Sequence, residues 1–300
     1  MSRRVEIILG PTAVGKSAYA IRRALEVGSP VISCDSRQIY KELSVGTAVP
    51  SPEELSAVKH YFIQTVSVKE GYTAGDYEED ALNLVESLFA QGHEHLVMCG
   101  GSMMYIDAFC YGLDDFPDVP LQMRRHLMDC LESEGVEVLA QQLKEVDPET
   151  WAVTDLSNGH RIVRALEVSL YTGKPYSSFK THGFKKRDFE IVKTGLEMPR
   201  EQLYERINAR VLKMMDAGLE EEARRMLPYR DLTALQTVGY KELFDYFDGT
   251  ISLDEAVRRI QTDTRHYAKR QLTWWRRDKS IRWIDANSCT FQGSLLPLQP

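Results

Sequence analysis

The chain has 300 residues, 43% hydrophobic and 27% charged, with a formal net charge of −7. This is the balance of a soluble globular protein with core enough for one large domain or two modest ones, and no stretch approaches a membrane span. Cys34, Cys99, Cys110, Cys130 and Cys289 are scattered without a C-x-x-C pair, which argues against a disulfide framework or structural zinc site and for a reducing cytoplasm.

Arg3-Arg4 before Val5-Glu6-Ile7-Ile8-Leu9 superficially resembles a secretory leader. The apolar run is too short for one and reads instead as a buried first strand. It leads into Gly10-Pro11-Thr12-Ala13-Val14-Gly15-Lys16-Ser17, the spacing of a phosphate-binding loop, and Ala18 to Leu25 reads as the helix that must follow. Gly10 and Gly15 let the backbone curl so that successive N–H groups face an anion, and the helix start adds partial positive charge. Lys16 supplies a point charge and the Ser17 hydroxyl is a candidate Mg²⁺ ligand. The usual occupant of such a loop is ATP or GTP. Pro30 to Cys34 is the next strand-like run and ends in Asp35, at the strand edge where α/β sheets bind ligands. His95 to Cys99 ends in Gly100-Gly101-Ser102, with no acid where many nucleotide hydrolases hold magnesium.

The alternation of strands and helices breaks at Asp114 to Pro120. Leu121 to Val146 is helix-like, and Asp147-Pro148 starts another segment. Asn158 to Tyr171 is helical up to the stop Thr172-Gly173-Lys174-Pro175, and Lys180 to Arg187 is a basic loop. Strand character returns over Phe189 to Leu196. Helical segments follow at 200–217, 219–227, 240–247 and 253–276, with a last short strand at 281–284. The expected fold is α/β: a phosphate-loop core with a parallel sheet, residues 1–113 and 188–300, carrying a mainly helical insertion at 114–187 and a helical C-terminal part. Charge is uneven. Residues 51–150 hold 5 Lys and Arg against 20 Asp and Glu, whereas 256–282 hold 9 against 2. That basic block is either a polyanion contact or a solvated helix face, and charge alone does not choose.

Four further blocks come into register. They are Asp35-Ser36-Arg37-Gln38-Ile39-Tyr40 with Gly46-Thr47-Ala48-Val49-Pro50; Gly100-Gly101-Ser102 with Tyr105; Arg161 to Glu167 running into Thr172 to Pro175; and Gly239-Tyr240-Lys241-Glu242 with Tyr267 to Trp274. With the phosphate loop, over nearly the whole chain, they closely resemble the tRNA dimethylallyltransferase (tRNA isopentenyltransferase) family. The resemblance implies transfer of a dimethylallyl group from dimethylallyl diphosphate to the exocyclic amine of an adenosine. That adenosine is the one 3′-adjacent to the anticodon in tRNAs reading codons that start with U.

The resemblance also implies residue roles. Asp35 would be the base on the adenine amine. The loop Gly10 to Ser17 would grip the prenyl diphosphate, with Lys16 on its charge and Mg²⁺ on Ser17. Ser102 stands where the family usually has Thr, beside the leaving oxygen. An arginine of Arg206-Ile207-Asn208-Ala209-Arg210 would be a second cation on the diphosphate; Arg210 is favoured and Arg206 remains open. The flipped base and the anticodon stem-loop would be met by Asp35, Ser36, Arg37, Gln38, Arg124, His160, Arg161, Arg164, Gly239, Tyr240, Lys241, Lys269, Arg270, Gln271, Trp274 and Arg276. The expected partners are the tRNA and dimethylallyl diphosphate, with the enzyme acting as a monomer. The family often has paired histidines where this chain has Lys59-His60-Tyr61, so His60 reads as structural, and Trp275 reads as core. Nothing matches the C-terminal zinc finger of eukaryotic relatives. The rival readings are a small-molecule kinase, an enzyme prenylating free adenine nucleotides, and a non-catalytic RNA-binding protein. The first two share the loop and the acid but leave the Arg161 and Lys269 blocks unexplained.

Overall fold

A computed structural model describes residues 3–181 and 183–289. The chain divides into two compact units, one built from the chain up to Tyr111 and from Lys186 onward, the other from Gly112–Lys185.

The first unit is organised on one parallel sheet. Among the described residues it has strands β1 (Arg4–Leu9), β2 (Val31–Ser33), β3 (His60–Tyr61), β4 (His95–Cys99), β5 (Glu190–Glu197) and β6 (Arg282–Asp285), in the order β3-β2-β4-β1-β5-β6. β1 lies centrally, with Ile8 in register with Cys99 on one side and Thr194 on the other. The chain builds the sheet away from β1 first toward β3 and later toward β6. The loops after β1, β2 and β4 therefore open on one edge beside a topological switch, which is where such sheets take ligands. Parallel strands covered on both faces need apolar residues on both. Val5, Ile7 and Leu9 join a core with α3 (Ala74–Ala90) and α4 (Met103–Tyr111), while Ile8 joins one with α1 (Lys16–Val27) and α9 (Arg200–Asp216). Trp275 is 2% exposed in the first of these cores, as its sequence position suggests. The capped helix α2 (Pro52–Ala57) and the two-residue β3 have no periodicity to announce them; α2 is marked only by Ser51 and Glu54, which form a reciprocal capping box.

Helices α9, α10 (Leu219–Met226), α11 (Lys241–Phe247) and α12 (Leu253–Trp275) enclose a further core with Ile39 and Leu43 from the loop after β2. Ser252 caps α12 by accepting from the Glu255 amide. Among the described residues no helix is long and apolar enough to cross a membrane.

The second unit is helical: α5 (Leu121–Glu134), α6 (Val136–Val146), α7 (Pro148–Val153) and α8 (Gly159–Thr172) around Leu127, Leu139, Leu143, Ile162 and Leu166. The stretch 121–146 is two helices, broken at Gly135, whose φ of 89° ends α5. Asp147 accepts from the Thr150 amide to cap α7 and from the Ser177 amide and hydroxyl. The Glu167 side chain is fully buried and accepts from both Arg124 and Arg164. A buried carboxylate needs that compensation, and the two hydrogen-bonded arginines hold it below the usual range against the opposing effect of burial.

Arg187 departs from its reading as part of a basic loop. It is nearly buried, donating to the carbonyls of Ala108 and Phe109 and to Glu78. Its charge is spent inside the first unit.

Candidate active site

The phosphate loop follows β1 as the sequence requires. Gly15 stands at the N-cap of α1 with φ 106°, a conformation that suits glycine, and no side chain caps the helix. Uncapped first-turn amides are what an anion needs. Ala13 also has positive φ, at 66°, so the loop holds a conformation that L-residues seldom adopt. Lys16 folds back to donate to the Pro11 carbonyl at 2.8 Å. Burial pushes its ammonium below the ordinary lysine range, partly offset by Asp35. Ser17 is exposed at the helix start.

Three other segments converge on this loop. Arg210 of α9 donates to the Thr12 hydroxyl at 3.0 Å, and its burial lowers its pKa, opposed by Asp35. Arg206, one turn earlier, is exposed, and its guanidinium lies 3.9 Å from where a Cβ on Gly15 would be. Both arginines therefore flank the loop, Arg210 from the cavity side. Asp35 closes a turn after β2, its Oδ1 accepting the Arg37 and Gln38 amides at 2.9 and 3.3 Å. Ser102 lies beside it: the Ser36 amide donates to Ser102 Oγ at 2.7 Å, and that hydroxyl donates to Ser36 Oγ at 2.9 Å.

Asp35, Ser36, Arg37, Thr12 and Arg210 line one cavity of ≈ 480 Å³ together with Thr47, Gly239, Lys241, Glu242, Tyr267 and Arg270. The wall at Thr47 is fixed from behind. Glu222 accepts the amides of Ser44, Val45 and Gly46 at 2.8 to 2.9 Å and the Tyr240 hydroxyl at 2.7 Å. Gln38 secures the same segment by donating to the carbonyls of Thr47 and Ala48. Glu222 escapes notice in the run Glu220-Glu221-Glu222; only its helical phase with Leu219, Ala223 and Met226 on the buried face of α10 sets it apart.

Glu242 is 6% exposed, accepts the Gly239 amide at 2.8 Å and shares a hydrogen bond with Asp263. Burial pushes its pKa up to about 7. A carboxyl with a raised folded pKa binds its proton more tightly in the folded state. Its contribution is thus present at low pH and lost as pH rises from the unfolded value near 4.5 through about 7. Wild-type protein should lose on the order of 1 to 3 kcal/mol between pH 5 and pH 8 that Glu242→Gln does not lose. Thermal unfolding at both pH values reads this out; parallel profiles for the two proteins would remove the assignment.

The residues expected to meet RNA separate into groups. Lys269, Arg270 and Arg276 are exposed on α12 and at its end, and Lys241 is exposed at the cavity. Trp274 is half-buried and donates its indole N–H to Asp107, with Arg277 over the ring. In the second unit, Arg124, His160 and Arg161 are exposed and Arg164 half-buried, with Arg124 and Arg164 already engaged by Glu167. Two expectations need correction. Tyr240 is fully buried and committed to Glu222, and Gln271 is 1% exposed and bonded to the loops at Thr12 and Gly101. Neither side chain is at the surface to touch RNA. Gly239 is also buried, although it lines the cavity. Tyr267, whose hydroxyl donates to the Gly101 carbonyl, is a site residue that reading the basic block for charge passes over. His60 is half-buried on the Val58 carbonyl, and burial lowers its pKa. It is not at the cavity.

A parallel sheet with an uncapped glycine-rich loop at its switch point, and a carboxylate, a lysine and an arginine at that loop, defines an α/β protein with a site suited to an anionic ligand. The family model described as IPP transferase matches residues 38–278, and the chain belongs to that family. It is 50% identical over 278 residues, 93% of this chain and 92% of the other, to a tRNA dimethylallyltransferase of Porphyromonas gingivalis. It is 46% identical over 286 residues to one from Azobacteroides pseudotrichonymphae, covering 95% and 93%. Among solved structures it is similar to a tRNA isopentenylpyrophosphate transferase from Bacillus halodurans, with TM-score 0.68, 34% identity and 95% and 90% of the two chains covered. It is also similar to a eukaryotic dimethylallyltransferase acting on tRNA, with TM-score 0.77, 26% identity and 95% and 74% covered.

Proposed function

We propose that the chain transfers a dimethylallyl group from dimethylallyl diphosphate to the N6 amine of the adenosine 3′-adjacent to the anticodon, in tRNAs reading codons that start with U, and releases diphosphate. The observation that carries this reading is the sharing of one cavity by the Asp35 carboxylate, Arg210 and the phosphate-loop residue Thr12. An acceptor for an N–H proton and a cradle for a departing anion belong to the same transfer.

In that reaction the N6 nitrogen forms a bond to C1 of the dimethylallyl group as the C1–O bond breaks. The bonding pair leaves with the diphosphate, and the amine's proton passes to Asp35. Adenine's amine is a poor nucleophile because its lone pair is delocalised into the ring, so a base on its N–H lowers the barrier. The allylic carbon bears positive charge as the bond opens, and negative charge grows on the diphosphate. Loop amides, Lys16 and Arg210 are held ready for that charge in a partly water-excluded site. To reach it, Lys16 exchanges the Pro11 carbonyl for a phosphate oxygen. The Ser102 hydroxyl, bonded to Ser36 beside Asp35, would meet the bridging oxygen of the leaving group by giving up the Ser36 hydroxyl for it.

Mg²⁺ would neutralise diphosphate charge, with the exposed Ser17 hydroxyl as its protein ligand. Among the described residues no group of three or more His, Cys, Asp or Glu could hold a metal, and an ion bound mostly by substrate oxygens and water is how Mg²⁺ is usually held.

The test is incubation with labelled dimethylallyl diphosphate and either undermodified tRNA or AMP. Label in tRNA and not in AMP is the expected result; label in AMP alone would transfer the chain to the nucleotide-prenylating class. The exposed cations of α12 supply a second check. Neutralising Lys269, Arg270 and Arg276 together should weaken tRNA binding and lower the log–log salt slope by about 0.7 to 0.9 for each phosphate that the protein no longer neutralises. The affinity for dimethylallyl diphosphate should stay near wild type. An unchanged salt slope would reduce the basic block to a solvated helix face.

A further inference from the structure

Gln271 does what no cation on α12 does: it ties the phosphate loop to the loop after β4. The Thr12 amide donates to its Oε1 at 2.8 Å, and its Nε2 donates to the Gly101 carbonyl at 2.8 Å. The side chain is 1% exposed. A Cβ on Gly101 would lie 2.5 Å from Nε2, so glycine admits the carboxamide where a side chain would displace it. Tyr267, one turn earlier on α12, donates to the same Gly101 carbonyl at 3.2 Å.

The Thr12 amide is therefore held by protein and not offered to an anion, unlike the uncapped amides at the start of α1. Its bond sets how far the loop is drawn toward Gly101 and hence how the phosphate cradle faces Ser102. The Thr12 hydroxyl meanwhile receives Arg210. One residue of the loop thus takes its backbone position from α12 and presents its side chain to the second cation of the site. Its neighbours in sequence, Lys269 and Arg270, are exposed, Arg270 at the cavity.

We propose that Gln271 is a positioning residue for prenyl transfer: it fixes the phosphate loop against the Gly101–Ser102 loop, so that the diphosphate cradle and the Ser102 hydroxyl bear on the same leaving group. The inference rests on the proposed use of the phosphate loop for dimethylallyl diphosphate. A carboxamide is suited to the task because it accepts and donates at once without charge beside Lys16, whose ammonium lies 3.9 Å from the same Gly101 Cβ position.

Two variants test it, assayed beside wild type with labelled dimethylallyl diphosphate and tRNA. Gln271→Leu keeps the approximate size and removes both hydrogen bonds. It should raise KM for dimethylallyl diphosphate and lower kcat, each by about tenfold or more, while the tRNA Kd stays within about twofold. Gln271→Glu keeps the shape and introduces a titratable group. Ionised, the new carboxyl cannot donate to the Gly101 carbonyl; protonated, it both donates and accepts as the amide does. The ratio of its kcat/KM to that of wild type should therefore rise steadily as pH falls, a rescue that loss of fold stability alone would not produce. Wild-type KM for the diphosphate substrate in both variants, or a ratio flat with pH, would overturn the assignment. Absence of transfer by the wild-type enzyme itself would instead overturn the underlying function.

Discussion

Replacing Asp35 by Ala should lower single-turnover prenyl transfer by about 10² to 10⁴-fold, the usual cost of removing a positioned general base, and leave tRNA affinity nearly intact. The expectation follows from where the carboxylate is. It lines the cavity with Arg210 and Thr12, and its Oδ1 is engaged by the Arg37 and Gln38 amides. Those bonds aim the group as a splint would, so the loss combines a missing base with a loosened turn. Asp35→Asn separates the two contributions, since its side-chain oxygen still receives the amides while it cannot take a proton. The Asn variant should be nearly as slow as the Ala variant, and near-wild-type single-turnover rates in Asn would assign Asp35 to the turn alone. Quench-flow with saturating dimethylallyl diphosphate makes the measurement.

Lys16→Ala should weaken dimethylallyl diphosphate and slow chemistry together, with kcat down by about 10² to 10³-fold, comparable to removing one donor from an oxyanion site. Both parameters move because the ammonium meets charge already on the diphosphate and charge that grows as it departs. Its partial burial strengthens this: the ammonium is held partly out of water, within the fields of Arg210 and Asp35, where an arriving anion gains more than it would in solvent. ATP should be neither required nor hydrolysed in the assay. An ATP requirement, or a Lys16→Ala enzyme with unaltered kcat, would return the loop to nucleotide chemistry.

The sequence made the ligand-facing edge of the sheet legible because its signals are local. A phosphate loop is eight consecutive residues, and Asp35 and Gly100-Gly101-Ser102 each follow an apolar run that reads as a buried strand. The helical insertion shows in the break at 114–120 and the capped stop at 172–175, although Gly135 divides what reads as one helix. Contacts between distant segments were not legible. Nothing in Glu220-Glu221-Glu222 says that the third carboxylate holds the backbone amides of Ser44 to Gly46, and nothing in a run rich in Lys and Arg says that its glutamine faces inward. A preference for surface contact in so charged a block put Gln271 among the RNA contacts, whereas α12 turns it inward by helical phase, beside the Trp275 already read as core. The same preference placed Arg187 in a basic loop although its charge is consumed by Glu78 and two carbonyls.

That guanidinium has an architectural consequence. The chain leaves the first unit after Tyr111 and comes back at Lys186. Arg187, one step past the return, is bolted to the carbonyls of Ala108 and Phe109 just before the departure. Both ends of the excursion are thus stitched together at its base, and β5 is delivered to its place beside β1 whatever happens between. Closing a loop costs free energy that grows only with the logarithm of its length. A stitch at the base makes the sheet insensitive to the insert's size, so evolution can lengthen, shorten or exchange the helices that follow Gly112 while the phosphate loop, Asp35 and Ser102 keep their registry. The active site and the inserted unit are in this sense separately inheritable parts of one chain.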